Sequence, residues 1–269
     1  MMPLKKTLDR TPWWLVATII IGIVLLWNMV ANHSYQKIAG ALSNGLLTTI
    51  GVTLVAFLLA SAIGLIIALA GFSKWRILRE FARFYVEIFR GIPVLVLLFY
   101  IAFVGASEMV HLYNWLLQWP IEAGWLESAR TRDFDMLWRA ILALSISYSA
   151  FIAEVFRAGI QEVSKGQIEA AQSLGLSSWL RFRLIILPQA MRKILPPLGN
   201  DFVAMIKDSA LVSVLGVQDI TQLAKVYSSS TFQFFETYNV VAFMYLTLTL
   251  SLSLLIRAFE AHLRRNDHH

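Results

Sequence analysis

The sequence predicts an all-α membrane protein with six transmembrane helices, and three observations carry that prediction. The 269-residue chain is 58% hydrophobic and only 15% charged, with a mean hydropathy of +0.64, whereas a soluble domain carries about 25% charge. Its apolar residues gather into stretches of about 20, long enough to cross a ~30 Å hydrocarbon core as a helix. Its basic residues sort to alternate ends of those stretches, as they do in multi-pass proteins.

The first stretch, residues 13–31, follows Lys5, Lys6 and Arg10. It exceeds the ~7–15 residues of a signal core and no A-x-A site follows, so it reads as a retained anchor. Residues 45–72 form the second stretch; Ser61, Ala62, Gly64, Ala68 and Gly71 suggest close helix packing there. The third, 92–117, is entered through Gly91 and Pro93. The fourth is 136–156. The fifth, 196–217, is interrupted by Asn200, Asp201, Lys207 and Asp208. The sixth is 238–259.

Six spans that start inside return the chain to the inside. On that topology the inner side receives Lys5, Lys6, Arg10, Lys74, Arg76, Arg79, Arg83, Arg90, Arg157, Lys165, Arg181, Arg183, Arg192, Lys193, Arg257, Arg264 and Arg265. The outer side receives only Lys37, Arg130, Arg132, Arg139 and Lys225, an imbalance that favours both termini in the cytoplasm. Trp75, Trp115, Trp119, Trp125 and Trp138 fall near span ends, where amphipathic rings partition.

Several chemistries are excluded. Without cysteine there is no disulfide, cysteine metal site or cysteine nucleophile. Neither G-x-x-x-x-G-K-[ST] nor H-E-x-x-H occurs, and Ser228–Ser230 have no neighbouring His. The chain is therefore expected to be no enzyme and to hold neither metal nor cofactor of its own. The net charge of +6 reads as inward-facing loops, not as a nucleic-acid patch.

One inner loop, 159–190, is long, polar and helix-friendly. It reads as two helical pieces broken near Gly175 and ended near Pro188. It contains Glu169-Ala170-Ala171, then Gly175, Ile185, Leu187 and Pro188. This spacing, EAA-x3-G-x9-I-x-L-P, resembles the signature of the membrane subunits of bacterial ABC importers, with all seven fixed positions met. The two alanines leave a low helical surface, Gly175 permits a sharp turn, Glu169 offers a charge, and Pro188 is expected to redirect the chain toward the fifth span. Other segments are similar to the polar amino acid branch of that family: Glu87-Ile88-Phe89-Arg90-Gly91-Ile92-Pro93, residues 150–160 around Glu154 and Arg157, and Leu198-Gly199-Asn200 with residues 207–214. Ile92 and Leu97 depart from the branch, which usually carries Thr and Gln there; both changes remove a hydrogen-bonding group.

The resemblance implies a five-helix type I importer core over 44–260. Residues 1–43 would add a tail, an extra helix and an outer loop, and 261–269 a cytoplasmic tail. It further implies a multi-pass permease of the bacterial inner membrane that moves polar amino acids by alternating access. Its expected partners are ABC ATPase subunits carrying ATP and Mg, a second identical or paralogous permease, and an extracytoplasmic binding protein. Three alternatives are weighed, one of them a non-transporting assembly or sensor subunit. A secondary transporter predicts inverted repeats and paired broken helices, neither of which is visible. An importer of an opine or modified amino acid stays closer.

Candidate pathway residues follow from charge at membrane depth, which is functional by default. Glu154 is the first; at i and i+3 with Arg157 it is equally a structural pair. Arg90, beside the Gly91–Pro93 break, is either an interfacial anchor or a cavity wall. Asn200 lies in the interrupted span, whose Lys207 and Asp208 are expected to pair or to meet a second subunit. Ser145, Ser147 and Ser149 suit helix packing, with Ser149 kept as a pathway candidate.

Overall fold

In the computed structural model, which describes residues 13–265, every regular element among the described residues is helical. Lys5, Lys6, Arg10, His268 and His269 lie outside the described residues. Helix α1 (Trp13–Ala31) is parted from α2 (His33–Gly71) by Asn32 alone. Asn32 leaves helical geometry at φ −108° and ψ 119°, and its side chain accepts from the Ser34 amide, capping α2. At 39 residues α2 begins well before the expected boundary.

The segment expected as an inner loop is instead amphipathic helix α3 (Arg76–Gly91), with Ala82 and Val86 buried. It stops because Ile92 precedes a proline, which disfavours helical geometry, and Ile92 is extended. The chain resumes as α4 (Val94–Leu116), interrupted by a π-turn at Tyr100–Gly105. That turn frees the Ala102 carbonyl, because the Ala106 amide bonds to Ile101 instead. Arg139, expected on an outer surface, is buried and fills the vacancy. It donates to Ala102 (3.1 Å) and Phe134 (2.8 Å), and to the Thr131 carbonyl.

Arg139 stands on α5 (Met136–Gln161), capped by Asp135. Next come α6 (Lys165–Ser173) and α7. The latter runs from Ser178–Arg181 through a π-turn, Phe182–Ile186, into Leu187–Asp208. A 3-10 segment, Ser209–Leu215, leads to α8 (Ile220–Thr231), where an outer loop was expected, and to α9 (Phe234–Arg265).

Four helices among the described residues are long and apolar enough to cross a membrane: His33–Gly71, Val94–Leu116, Met136–Gln161 and Phe234–Phe259. Ile19–Ala31 is a shorter apolar stretch. The expected fifth span corresponds to α7, whose helix starts earlier and ends at Asp208. Pro188 neither ends a helix nor redirects the chain: it sits near the N-terminal end of the long part of α7. A proline lacks a donor and crowds the carbonyl four residues back, and the π-turn immediately before it loosens the ladder at that point.

The centre of the bundle is the contact of α2 with α5. Lipid tails are as apolar as leucine, so spans associate through close packing and hydrogen bonds. Val52, Ala56 and Ala60 meet Ala140, Leu144 and Ile152, and the Ser145 hydroxyl lies 3.2 Å from the Ala56 carbonyl. Gly45 makes a similar approach possible between α2 and α8. A Cβ there would stand 2.7 Å from the backbone of Asp219 and Ile220. Buried Asp219 caps α8 through Gln222 (2.8 Å) and accepts from Tyr245 of α9 (3.3 Å).

Candidate functional site

The seven signature residues lie on α6, on the turn after it and on the first part of α7, which together form a hairpin. Glu169 and Ala170 are exposed on α6, while Ala171 is buried. Gly175 lies in the left-handed region at φ +76°. Its amide bonds to the Gln172 carbonyl (3.0 Å) and that of Leu176 to Ala171 (3.2 Å), the paired pattern that closes a helix around a left-handed residue. The second limb is tied back by Arg181, which donates to Gln172 (2.9 Å) and Ser178 (3.0 Å). Leu174 and Trp179 stand 80% and 65% exposed beside the turn. Ile185, Leu187 and Pro188 continue without a break into α7, whose Ile194 packs onto Gly159 of α5. The hairpin is thereby continuous with α7, which packs on α5.

Those helices carry the charged residues. Glu154 and Arg157 form a forked pair, with Nη2 to Oε2 at 2.6 Å and Nε to Oε1 at 3.0 Å; Arg157 also donates to Gln161 (3.0 Å). Glu154 nevertheless borders two clefts of about 400 Å³ each. One runs toward α2 and α3, past Ile67, Val86 and Glu87. The other runs toward α7 and is lined by Arg90, Phe151, Pro197 and Asp201. The Arg90 guanidinium sits 5.5 Å from the Phe151 ring centre, a cation–π distance. At the cleft's far edge Lys193 faces Glu162 at 3.7 Å.

The remaining candidates are placed differently. Gly91 and Pro93 form the break between α3 and α4, and Asn200 is exposed; none of the three lines either cleft. Ser149 is buried and hydrogen-bonded to Tyr85 of α3 (2.7 Å) and to the Ile146 carbonyl (2.7 Å). Asp208 accepts from Tyr148 (2.7 Å), not from its neighbour Lys207, which is exposed. Asp201 is the group that the sequence left in the background. One of its carboxylate oxygens is buried without a hydrogen-bond partner, beside Arg90's cleft. Its signal was its charge in an apolar stretch, but only the helical phase separates it from Asn200. Arg90, Glu154 and Asp201 thus line one cleft. Among the described residues no cluster of three metal-ligating side chains occurs.

Comparison with known proteins places this geometry in context. The chain is 35% identical over 212 residues to the probable amino-acid permease protein YxeN of Bacillus subtilis, covering 79% of this chain and 86% of that one. It is 35% identical over 228 residues to the nopaline transport system permease protein NocM of Agrobacterium fabrum, covering 85% and 88%. A crystal structure of an amino acid ABC transporter with histidines superimposes with a TM-score of 0.70 at 37% identity, covering 85% of this chain and 97% of that one. Residues 60–265 match the family described as binding-protein-dependent transport system inner membrane component. The hairpin, the charged clefts and this match lead to one conclusion: the chain belongs to the inner membrane components of binding-protein-dependent transport systems.

Proposed function

We propose that this chain is the permease subunit of an ATP-driven importer of polar amino acids, acting by alternating access. Six spans would place both termini in the cytoplasm, a reading supported by the distribution of basic residues. The 159–190 hairpin would then dock on ABC ATPase subunits, which bind ATP and Mg and do the hydrolysis; this chain catalyses nothing itself. A second permease subunit, identical or paralogous, would complete the pathway, and an extracytoplasmic binding protein would deliver the substrate.

One observation carries the reading. The braced hairpin runs without interruption into α7, which with α5 walls the cleft of Arg90, Glu154 and Asp201. Force applied to α6 would pass through the braced Gly175 turn into α7 and so reach the charged cleft. In that cleft Arg90 would face an α-carboxylate, and Glu154 and Asp201 an α-ammonium group. The substrate class rests on the relatives, which are named as amino acid permeases. The nopaline system among them keeps an opine in the test panel.

The test is uptake by proteoliposomes holding this chain with its ATPase and binding protein. Acidic, neutral and basic amino acids and one opine are offered in turn. ATP-dependent accumulation of a polar amino acid is the expected result. Accumulation driven by an ion gradient without ATP overturns the assignment in favour of a secondary transporter.

A further inference from the structure

The segment joining α4 to α5 carries an exposed aromatic patch that transport does not explain. The 23 residues of α4 rise about 34 Å, slightly more than the ~30 Å hydrocarbon core, so the helix leaves hydrocarbon close to Leu116. The next turns do not run into water as a polar loop. A short helix, Gln118–Glu122, is closed by Gly124 at φ +74°. The Gly124 amide bonds to Ile121 (3.0 Å) and that of Trp125 to Pro120 (3.0 Å). This turn folds Trp125 back edge-on to Trp119, with ring centres 5.2 Å apart.

The patch is apolar, exposed and held in shape. Trp115, Trp119 and Trp125 are 71%, 67% and 72% exposed, with Leu116 beside them. Asn114 clamps the far side of the loop, donating to the Ala129 carbonyl and accepting from its amide, both at 2.9 Å. Ser107 meets Thr131 at 3.3 Å, and Arg139 holds Thr131 and Phe134 from below. Ordering entropy for this surface has already been met on folding.

The chemistry selects one occupant. Residues 115–126 themselves carry no Lys or Arg; the nearest basic groups, Arg130 and Arg132, follow on the loop beside Asp133, and Arg132 pairs with it at 3.8 Å. Glu122 is engaged by Gln118 (2.8 Å). What remains is a set of indoles, each an apolar body with one N–H donor, at the depth where apolar chains give way to ester carbonyls. We propose that residues 115–126 form a ledge seated in the ester–glycerol layer of the bilayer, fixing the depth of this end of α4. The proposal needs only that α4 spans the membrane, so it stands apart from the choice of substrate.

Because the chain has no cysteine, Ala123→Cys takes one environment-sensitive fluorophore in an otherwise unaltered protein. The full chain is placed in phosphatidylcholine bilayers. Quenching is compared for nitroxide lipids labelled near the glycerol, nitroxide lipids labelled at mid-chain, and aqueous iodide. The shallow nitroxide should quench at least about threefold more strongly than either alternative. The same probe at Ser177→Cys should respond chiefly to iodide. Iodide quenching at position 123 equal to that at 177 overturns the proposal. So does loss of the lipid quenching when the binding protein is added, which reassigns the patch to a protein contact. Trp119→Ser with Trp125→Ser should abolish the preference for the shallow label. Should that double variant fail to fold, the probe in the unaltered chain decides the matter by itself.

Discussion

Gly175 offers the sharpest test of the hairpin. At φ +76° it sits where an L-residue is strained, yet a Cβ there would meet nothing within 4 Å. The cost of substitution is therefore conformational, not a clash. A left-handed residue with a side chain costs roughly 1–2 kcal/mol, and a β-branched one lies at the upper end. Two cap hydrogen bonds, from Gly175 and Leu176, depend on that conformation. For Gly175→Val a cost of about 2 kcal/mol lowers the share of correctly bent hairpins roughly 30-fold. Asn tolerates the left-handed region best after Gly, so Gly175→Asn should lose only a few-fold, with Gly175→Ala between the two. The assay is the initial rate of ATP-driven uptake in proteoliposomes at sub-saturating ATPase, together with binding-protein-stimulated ATP hydrolysis. Thermal unfolding should stay near that of the parent, because the turn is exposed and outside the bundle. Full uptake by Gly175→Val would refute the role of the bend. An Asn variant as damaged as the Val variant would show that the site rejects any side chain, and the backbone argument would fail.

Two further outcomes are expected. Glu154→Gln keeps the side-chain shape and removes its charge; uptake should fall by about tenfold or more, with the subunits still assembled. Arg157→Gln added to it should restore any lost thermal stability but not uptake, because Glu154 belongs both to the ion pair and to the cleft wall; a double variant with normal uptake would leave only the structural pair. Single cysteines at Ser128 and Ser229, both exposed, should react with an impermeant thiol reagent in intact cells, whereas Ser177→Cys should react only after the membrane is opened. Ready labelling at 177 from outside would reverse the topology and remove the hairpin from the ATPase side.

Much of the 159–190 hairpin was legible in the linear sequence. Its signature residues span 20 consecutive positions, and local rules suffice there: a glycine after the last helical turn adopts positive φ and closes the helix. The helical class was equally legible, because hydropathy is a property of composition and spacing. The consequence of Pro188 was not. A proline in isolation signals a break, but the π-turn that accommodates it belongs to a helix held by α5 and α9, which local pattern does not reveal. Helices α3 and α8 were missed for the same reason, since their polar faces read as loops until Val86 and Ile220 are seen packed on neighbours.

What the sequence by itself determined is an all-helical membrane chain with a helical hairpin turned at a glycine, because apolar run length, charge sorting and backbone conformational preference act locally. What only the tertiary structure decided is which charges meet. It placed Asp201 in the cleft instead of Asn200, joined Tyr85 to Ser149 and Tyr148 to Asp208, and drew Arg139 inward to a carbonyl released by a π-turn. Those pairings join residues 37 to 64 positions apart. Helical phase and the close approach allowed by Gly45, Gly64 and Gly159 set them, and neither is readable from the identity of the residues alone.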